Sequence, residues 1–390
     1  MNLQITAPAG AAAEVVIIQR RLTHYRVALF ERLRTALAER GVRLRLLAGE
    51  ATASEASKQD GGHLPWCEPL PTRYFAGGRV CWQSLGARVN GADLVIVTQE
   101  NRLLQNHLLQ ARPRAFRLAF WGHGANLQSS RPNGLRERFK VWTSRRVDWW
   151  FGYTDMSVPL IARSGFPADR ITVLDNTVDT ADMAAMRVQV DGARIARLRA
   201  ELGLAGSQIG IYVGSLYAEK RIDMLLDAAR AIRERVPGFE LLIVGGGPLA
   251  DEVVRFCGDH PWTKYLGVRK GQDKVDAMAL SRVTLNPGLV GLGILDTFVC
   301  RVPMVTTDCG VHSPEIAYLY NDENGVMTAN DSAAYVEAVR RVLTDDALHA
   351  RLVSGCARSA ARYSLDNMVS RFADGIERCL AAPRYWGGGR

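Results

Sequence analysis

Short apolar runs alternate with longer helix-period segments from one end of this 390-residue chain to the other, the pattern of parallel βαβ units. In the first half the runs predict strands at Val15–Gln19, Leu44–Ala48, Leu94–Thr98, Ala115–Trp121, Trp149–Tyr153 and Ile171–Leu174. In the second half they predict strands at Ile209–Val213, Leu241–Val244, Thr263–Leu266, Val283–Asn286 and Met304–Thr306. Between the halves, Asp182 to Arg199 is polar, rich in alanine and weakly periodic. The fold class expected is α/β, with two Rossmann-like units in tandem and a boundary after Thr180, since the length exceeds one ordinary core.

Composition narrows the picture. Seven cysteines lie scattered without a C-x-x-C, so neither a disulfide framework nor a zinc site is indicated. No run of eighteen apolar residues occurs, and no basic start leads into an apolar stretch; a cytoplasmic, non-spanning protein is expected. The charge is uneven. Residues 1 to 178 hold 24 Lys+Arg against 14 Asp+Glu, a surplus of 10, and the remainder holds 25 against 26. A cationic first half suits an anionic partner. Within it, Arg131 to Arg146 carries six cations and one acid, with Leu135, Phe139 and Trp142 at helical spacing, as a basic amphipathic helix would. An ordinary surface helix has the same pattern.

Ligands of doubly wound sheets bind beyond the carboxyl ends of strands, and four such places are informative. Gly214 and Ser215 follow the first strand of the second half, and Lys220 and Arg221 open the next helix, where cations suit a ligand phosphate better than the helix dipole. Val244-Gly-Gly-Gly-Pro-Leu-Ala250 formally matches a dinucleotide fingerprint, but no acidic residue closes the next strand. A plain strand-to-helix turn is the better reading. At that next strand's end, Leu266, Gly267 and Arg269 offer backbone to a base edge. The fourth place is Gly288 to Pro303, where Gly291, Leu292 and Gly293 bring backbone N–H groups and a helix N-terminus toward an anion, and Asp296 lies in the first turn. Asp296 either favours the helix dipole or accepts hydrogen bonds from sugar hydroxyls.

In order, G-S-L-x-x-E-K, V-G-G-G-P, Y-L-G-x-R, P-G-x-x-G-L-x-I-x-D, V-P-M-V-T-T-D and P-E-I resemble the donor domain of glycosyltransferase family 4. The first half is similar to that family through Tyr25-Arg26, His123 between two glycines, and Asn176-Thr-Val-Asp179. The resemblance implies a GT-B fold, two Rossmann-like domains facing across a cleft. Residues 1–180 would bind the acceptor and 181–362 a nucleotide-sugar, with 363–390 crossing back to the first domain.

It also implies a retaining transfer to an acceptor hydroxyl, on a lipid-linked saccharide of a surface polysaccharide, with the protein peripheral on the inner face of the cell membrane. No metal, no other cofactor and no nucleic-acid partner would be needed. By the same resemblance the diphosphate-gripping Arg/Lys pair maps onto Ser215 and Lys220, so the Arg is missing, and Arg221 stands where a glycine is usual. The family's two glutamates, with seven residues between them, map onto Gly288 and Asp296, so the first is lost and the second, which holds the ribose, is shortened. His123 would orient donor or acceptor, no chemistry attaches to Glu315, and His312 fits a place in the cleft and a surface turn equally. Two rival readings are a nicotinamide oxidoreductase using the Gly245 turn and a non-catalytic nucleic-acid binder using the basic half.

Overall fold

A computed structural model of the chain describes residues 13–56, 60–124 and 142–386. The chain divides into two compact units, residues 1–179 with 365–390, and residues 180–364. Most of the expected basic helix, residues 131–141, lies outside the described residues.

The first unit is built on a parallel sheet of seven strands: β1 (Ala13–Gln19), β2 (Val42–Ala48), β3 (Glu68–Pro69), β6 (Leu94–Thr98), β7 (Arg117–Gly122), β8 (Trp149–Gly152) and β9 (Ile171–Val173), in the spatial order β3-β2-β1-β6-β7-β8-β9. A hairpin of β4 (Thr72–Phe75) and β5 (Val80–Gln83) stands apart from it. β1 is buried from Val15 to Gln19 because helices cover both faces of the sheet, which is why it reads as a continuous apolar run. The last helix, Leu365–Ala381, buries Leu365, Met368, Val369, Phe372, Ala373, Ile376 and Cys379 along one stripe. That stripe docks in the first unit, with the Phe372 ring 5.1 Å from Trp121 and 4.7 Å from Phe151.

The second unit has six parallel strands: β10 (Gln208–Val213), β11 (Phe239–Val244), β12 (Thr263–Gly267), β13 (Val283–Leu285), β14 (Met304–Thr307) and β15 (Gly325–Thr328), ordered β12-β11-β10-β13-β14-β15. The chain builds outward from β10 in one direction and then from β13 in the other. The switch point of this sheet, where a doubly wound fold opens a crevice, is therefore between β10 and β13. The weakly periodic passage after Thr180 forms two helices, Ala181–Val188 and Gly192–Glu201, neither with a fully buried residue. Asp191 caps the second by accepting from the Arg194 N–H at 2.7 Å. The sequence reading missed β3, the hairpin and β15. β3 is two residues long, each hairpin strand is four residues with every second position only half-buried, and β15 is four residues at a sheet edge. Among the described residues no helix is long and apolar enough to cross a membrane.

Candidate functional site

Two loops meet at the switch point of the second unit. Beyond β10 the chain makes a short turn, Ala218–Lys220, and enters the helix Ile222–Arg235. Beyond β13 it runs through Gly288–Leu292 into the helix Gly293–Cys300. The loops are tied by backbone, the Leu289 N–H donating to Glu219 O at 2.9 Å, and by a side chain, the Lys220 ammonium donating to Leu289 O at 2.5 Å. Burial pulls the Lys220 ammonium down to about 8. A cation that shields itself on a single carbonyl is poised for a stronger acceptor.

The loop after β13 is braced from its other side. Val290 donates its N–H to His312 Nδ1 at 3.0 Å and accepts from the Ser313 N–H at 2.9 Å. The next three amides, those of Gly291, Leu292 and Gly293, have no acceptor among the described residues. They are the unsatisfied donors of a helix N-terminus, aimed where the dipole favours negative charge. Lys220 and these amides lie in the loops that follow the adjacent strands β10 and β13, which brings donors of one charge sign to one switch point.

Two of the expected residues are placed in ways the sequence did not show. Arg221 is left-handed, with φ 55°, which explains why a glycine is usual there. Its guanidinium is already engaged, donating to Asn330 Oδ1 and, at 3.4 Å, to Thr307 Oγ1. Gly288 abuts the backbone of the neighbouring loop; a Cβ there would overlap Lys220 and sit 2.5 Å from Glu219 O. No side chain, and so no carboxylate, fits at 288 while the two loops remain joined. Ser215 is exposed, and its carbonyl accepts from the Tyr212 hydroxyl at 2.8 Å.

Asp296 is the fourth residue of the helix after β13, and Lys274 is the fourth of Gly271–Ala279, the helix after β12. They form an ion pair at 3.0 Å, each side chain about 21 % exposed. Burial pushes the Asp296 carboxyl above its usual value, and Lys274 opposes that shift. The sequence reading missed Lys274. Its position in a first turn, the same as that of Asp296, was the available signal. At the end of β12 the pairing slips, so that Tyr265 opposes Ile243 and Gly267 opposes Val244. Leu266 is the extra residue of that bulge. Arg269 is exposed, 3.8 Å from Asp273.

The dinucleotide-like glycines serve a different end. A Cβ at Gly245 would overlap Gly214 O, and one at Gly247 would lie 2.5 Å from Leu216 O. The two turns are zipped together by Gly214 N–H to Val244 O at 3.0 Å and Leu216 N–H to Gly246 O at 3.0 Å. These glycines let two backbones touch, which accounts for the motif without a pyrophosphate.

In the first unit the corresponding switch point lies between β1 and β6, and Arg20 fills it. Its guanidinium is bidentate to Glu55 at 2.7 and 2.8 Å and 3.4 Å from Glu100. His123 follows β7, its ring edge-on to Tyr153 at 4.3 Å between centroids. Gly124 beside it donates its N–H to Gln99 Oε1 at 3.2 Å. Tyr25 is exposed, whereas Arg26 is buried over Trp121 and donates to Asn176 Oδ1 at 2.6 Å. The family-like residues of the first half therefore gather at neighbouring strand ends. Surplus positive charge there is partly self-neutralised, since Arg20, Arg21, Arg32, Arg40, Arg45 and Arg114 are all ion-paired.

Known proteins resemble this arrangement. The family described as Glycosyl transferases group 1 matches residues 207–345. Alpha-D-kanosaminyltransferase of Streptomyces kanamyceticus is 28% identical over 200 residues, 48% of this chain and 49% of that protein. A GDP-mannose-dependent alpha-(1-6)-phosphatidylinositol monomannoside mannosyltransferase of Mycolicibacterium smegmatis is 29% identical over 185 residues, 44% of this chain and 47% of that one. The chain thus spans about half the length of the curated relatives it matches. Among solved structures, Anabaena Alr3699/HepE in complex with UDP superposes with a TM-score of 0.66 at 16% identity, over 94% of this chain and 100% of that one. WaaG, a glycosyltransferase involved in lipopolysaccharide biosynthesis, gives 0.58 at 15% identity over 92% and 98%. Two doubly wound parallel sheets and these structural matches give the chain the GT-B fold, and residues 207–345 of its second unit match the group 1 glycosyltransferase family.

Proposed function

We propose that the protein transfers a sugar from a nucleoside-diphosphate sugar to an acceptor hydroxyl, with retention at the anomeric carbon. The observation that carries this reading is the placing of three open amides, Gly291 to Gly293, in the loop that the half-buried Lys220 ammonium bonds. Charge develops on the diphosphate as the glycosidic bond breaks, and donors held in place before reaction stabilise it without reorganising. Lys220 and the helix dipole supply the positive charge that a metal ion supplies in other transferases. Gly214 and Ser215 border the same loop, Leu266, Gly267 and Arg269 meet the base, and Asp296 with Lys274 meets the ribose. The first unit takes the acceptor, with His123 orienting it.

The direct test is a panel of nucleotide-sugars, UDP-glucose and GDP-mannose among them, scored by thermal stabilisation and by slow hydrolysis. Binding at a hundred times the dissociation constant stabilises by about 2.7 kcal/mol, a readable melting shift. Silence across the panel with a folded protein sinks the reading; the anomeric configuration of the product, by NMR, decides retention.

Asp296→Asn keeps size and one acceptor oxygen but removes the charge paired with Lys274. Preference for ribose over 2′- or 3′-deoxyribose in the donor is expected to fall by roughly tenfold, the worth of about 1.5 kcal/mol for a charge-assisted bond. Unchanged discrimination removes Asp296 from the ribose.

For the acceptor, the charge surplus of the first half favours a lipid-linked, diphosphate-bearing saccharide at an anionic membrane face. Each Lys or Arg near such a surface contributes about 1 kcal/mol. Co-sedimentation with anionic vesicles at low salt is expected, and is expected to be lost when Arg136, Arg138, Lys140, Arg145 and Arg146 are neutralised. A protein that stays in the supernatant, or a variant that sediments equally, makes a soluble acceptor the better assignment.

A further inference from the structure

We infer that His312 is a positioning residue of the donor site, a neutral imidazole that holds the Val290 amide and with it the loop that presents the open N–H groups. The inference rests on that loop's assignment to the donor diphosphate. His312 Nε2 lies 2.7 Å from Thr307 O, which can only accept, so Nε2 carries the hydrogen. His312 Nδ1 lies 3.0 Å from the Val290 nitrogen, whose hydrogen points at it, so Nδ1 carries none. One tautomer satisfies both bonds, and the imidazolium satisfies only one, setting an N–H against an N–H. The Val290 carbonyl is held by the Ser313 N–H at 2.9 Å. The peptide preceding Gly291 is thus fixed at both ends by residues 312 and 313.

The groups around the ring are few. Asp308 favours the cation, Lys220 opposes it from the facing turn, and the Cys309 sulfur lies 3.5 Å from Nε2. The glycine loop itself brings no titratable side chain. Burial is the largest influence and holds the ring below its ordinary value. The unfolded chain therefore takes up the proton first, near pH 6.5, so the stability that His312 contributes is present above that pH and is lost as pH falls toward the folded value. Donor binding should weaken on the acid side, because protonation frees the loop.

The test uses UDP-glucose and GDP-mannose as probes, whose diester phosphates stay singly charged between about pH 5 and 7.5. Their dissociation constants are measured across that range for the native protein, His312→Asn and His312→Phe. Asn keeps an oxygen near the place of Nδ1 and does not titrate; Phe keeps the ring and removes the acceptor. Native affinity is expected to fall on acidification by up to about tenfold per pH unit below the titration midpoint. His312→Asn should bind nearly as well at pH 7.5 and lose the acid limb, and His312→Phe should bind about tenfold more weakly throughout. A flat native profile, or the same acid limb in the Asn variant, overturns the inference.

Histidine ring 15N shifts of the ligand-free protein test the tautomer independently of binding. A neutral Nε2–H ring whose protonation moves the Gly291 and Leu292 amide signals supports the role, and an Nδ1–H or cationic ring at pH 7.5 refutes it. If neither nucleotide-sugar binds, the donor assignment fails while the ring shifts still judge the imidazole.

Discussion

Lys220→Ala is expected to weaken nucleoside-diphosphate binding by about 1.5–3 kcal/mol, the range for a hydrogen bond to a charged group, or roughly ten- to a hundredfold in dissociation constant. The ammonium is the only side-chain cation among the described residues that bridges the two loops, and nothing replaces it when it is cut back. The same lysine predicts a pH dependence. With the free-protein value at about 8, Lys220 is charged at pH 7 and binding there needs no proton. Above pH 8 the free protein loses the proton that the complex retains, so affinity should fall by up to about tenfold per pH unit. Calorimetry at pH 7 and pH 9, in buffers of different ionisation enthalpy, reads the proton taken up. An unchanged affinity in the alanine variant, or a native profile flat to pH 9, removes Lys220 from the phosphate. Arg221→Ala should cost less, because its guanidinium already serves Asn330 and Thr307.

The strands that carry the two loops were legible in the sequence because burial on both faces makes them largely apolar runs, as in β10, where Ile209 to Tyr212 are all buried. Lys220, the glycine loop and Asp296 were legible because they stand immediately after such runs. Pairing partners were not. Lys274 lies 22 residues before Asp296, and nothing in local spacing reports that the helices Gly271–Ala279 and Gly293–Cys300 bring their first turns together. His312 stayed open between the cleft and a surface turn because its partners, Val290 and Thr307, act through backbone atoms that leave no trace in residue type. The three glycines from 245 to 247 match a dinucleotide fingerprint formally for a related reason, since close contact of two backbones and close contact of backbone with phosphate both demand glycine, and only the missing acidic residue told the two apart.

The sharpest consequence concerns Gly288, the position at which the family resemblance expects a glutamate. Restoring that residue should damage the protein. A Cβ at 288 overlaps Lys220 and approaches Glu219 O and Lys220 O to 2.5 Å, and these are backbone atoms that cannot rotate aside as a flexible side chain can. Either the turn Ala218–Lys220 or the loop after β13 must move, and the bonds from Leu289 N–H to Glu219 O and from Lys220 to Leu289 O are the first to go. Overpacking of this kind costs about 1–3 kcal/mol, and in a unit of this size each kcal/mol lowers Tm by about 2–4 °C. Gly288→Ala and Gly288→Glu should both melt earlier than the native protein, and both should bind nucleoside diphosphate more weakly by a factor similar to that of Lys220→Ala, because Lys220 is displaced in each. The alanine variant is the decisive one, since it adds the offending atom without adding a charge. If Gly288→Ala melts and binds as the native protein does, the two loops are not packed backbone to backbone, and a carboxylate at 288 becomes compatible with the site. If it fails as expected, the donor sugar is recognised here without the family's first glutamate, and the contacts that replace it must come from the amides of Gly291 to Gly293 and the residues around them.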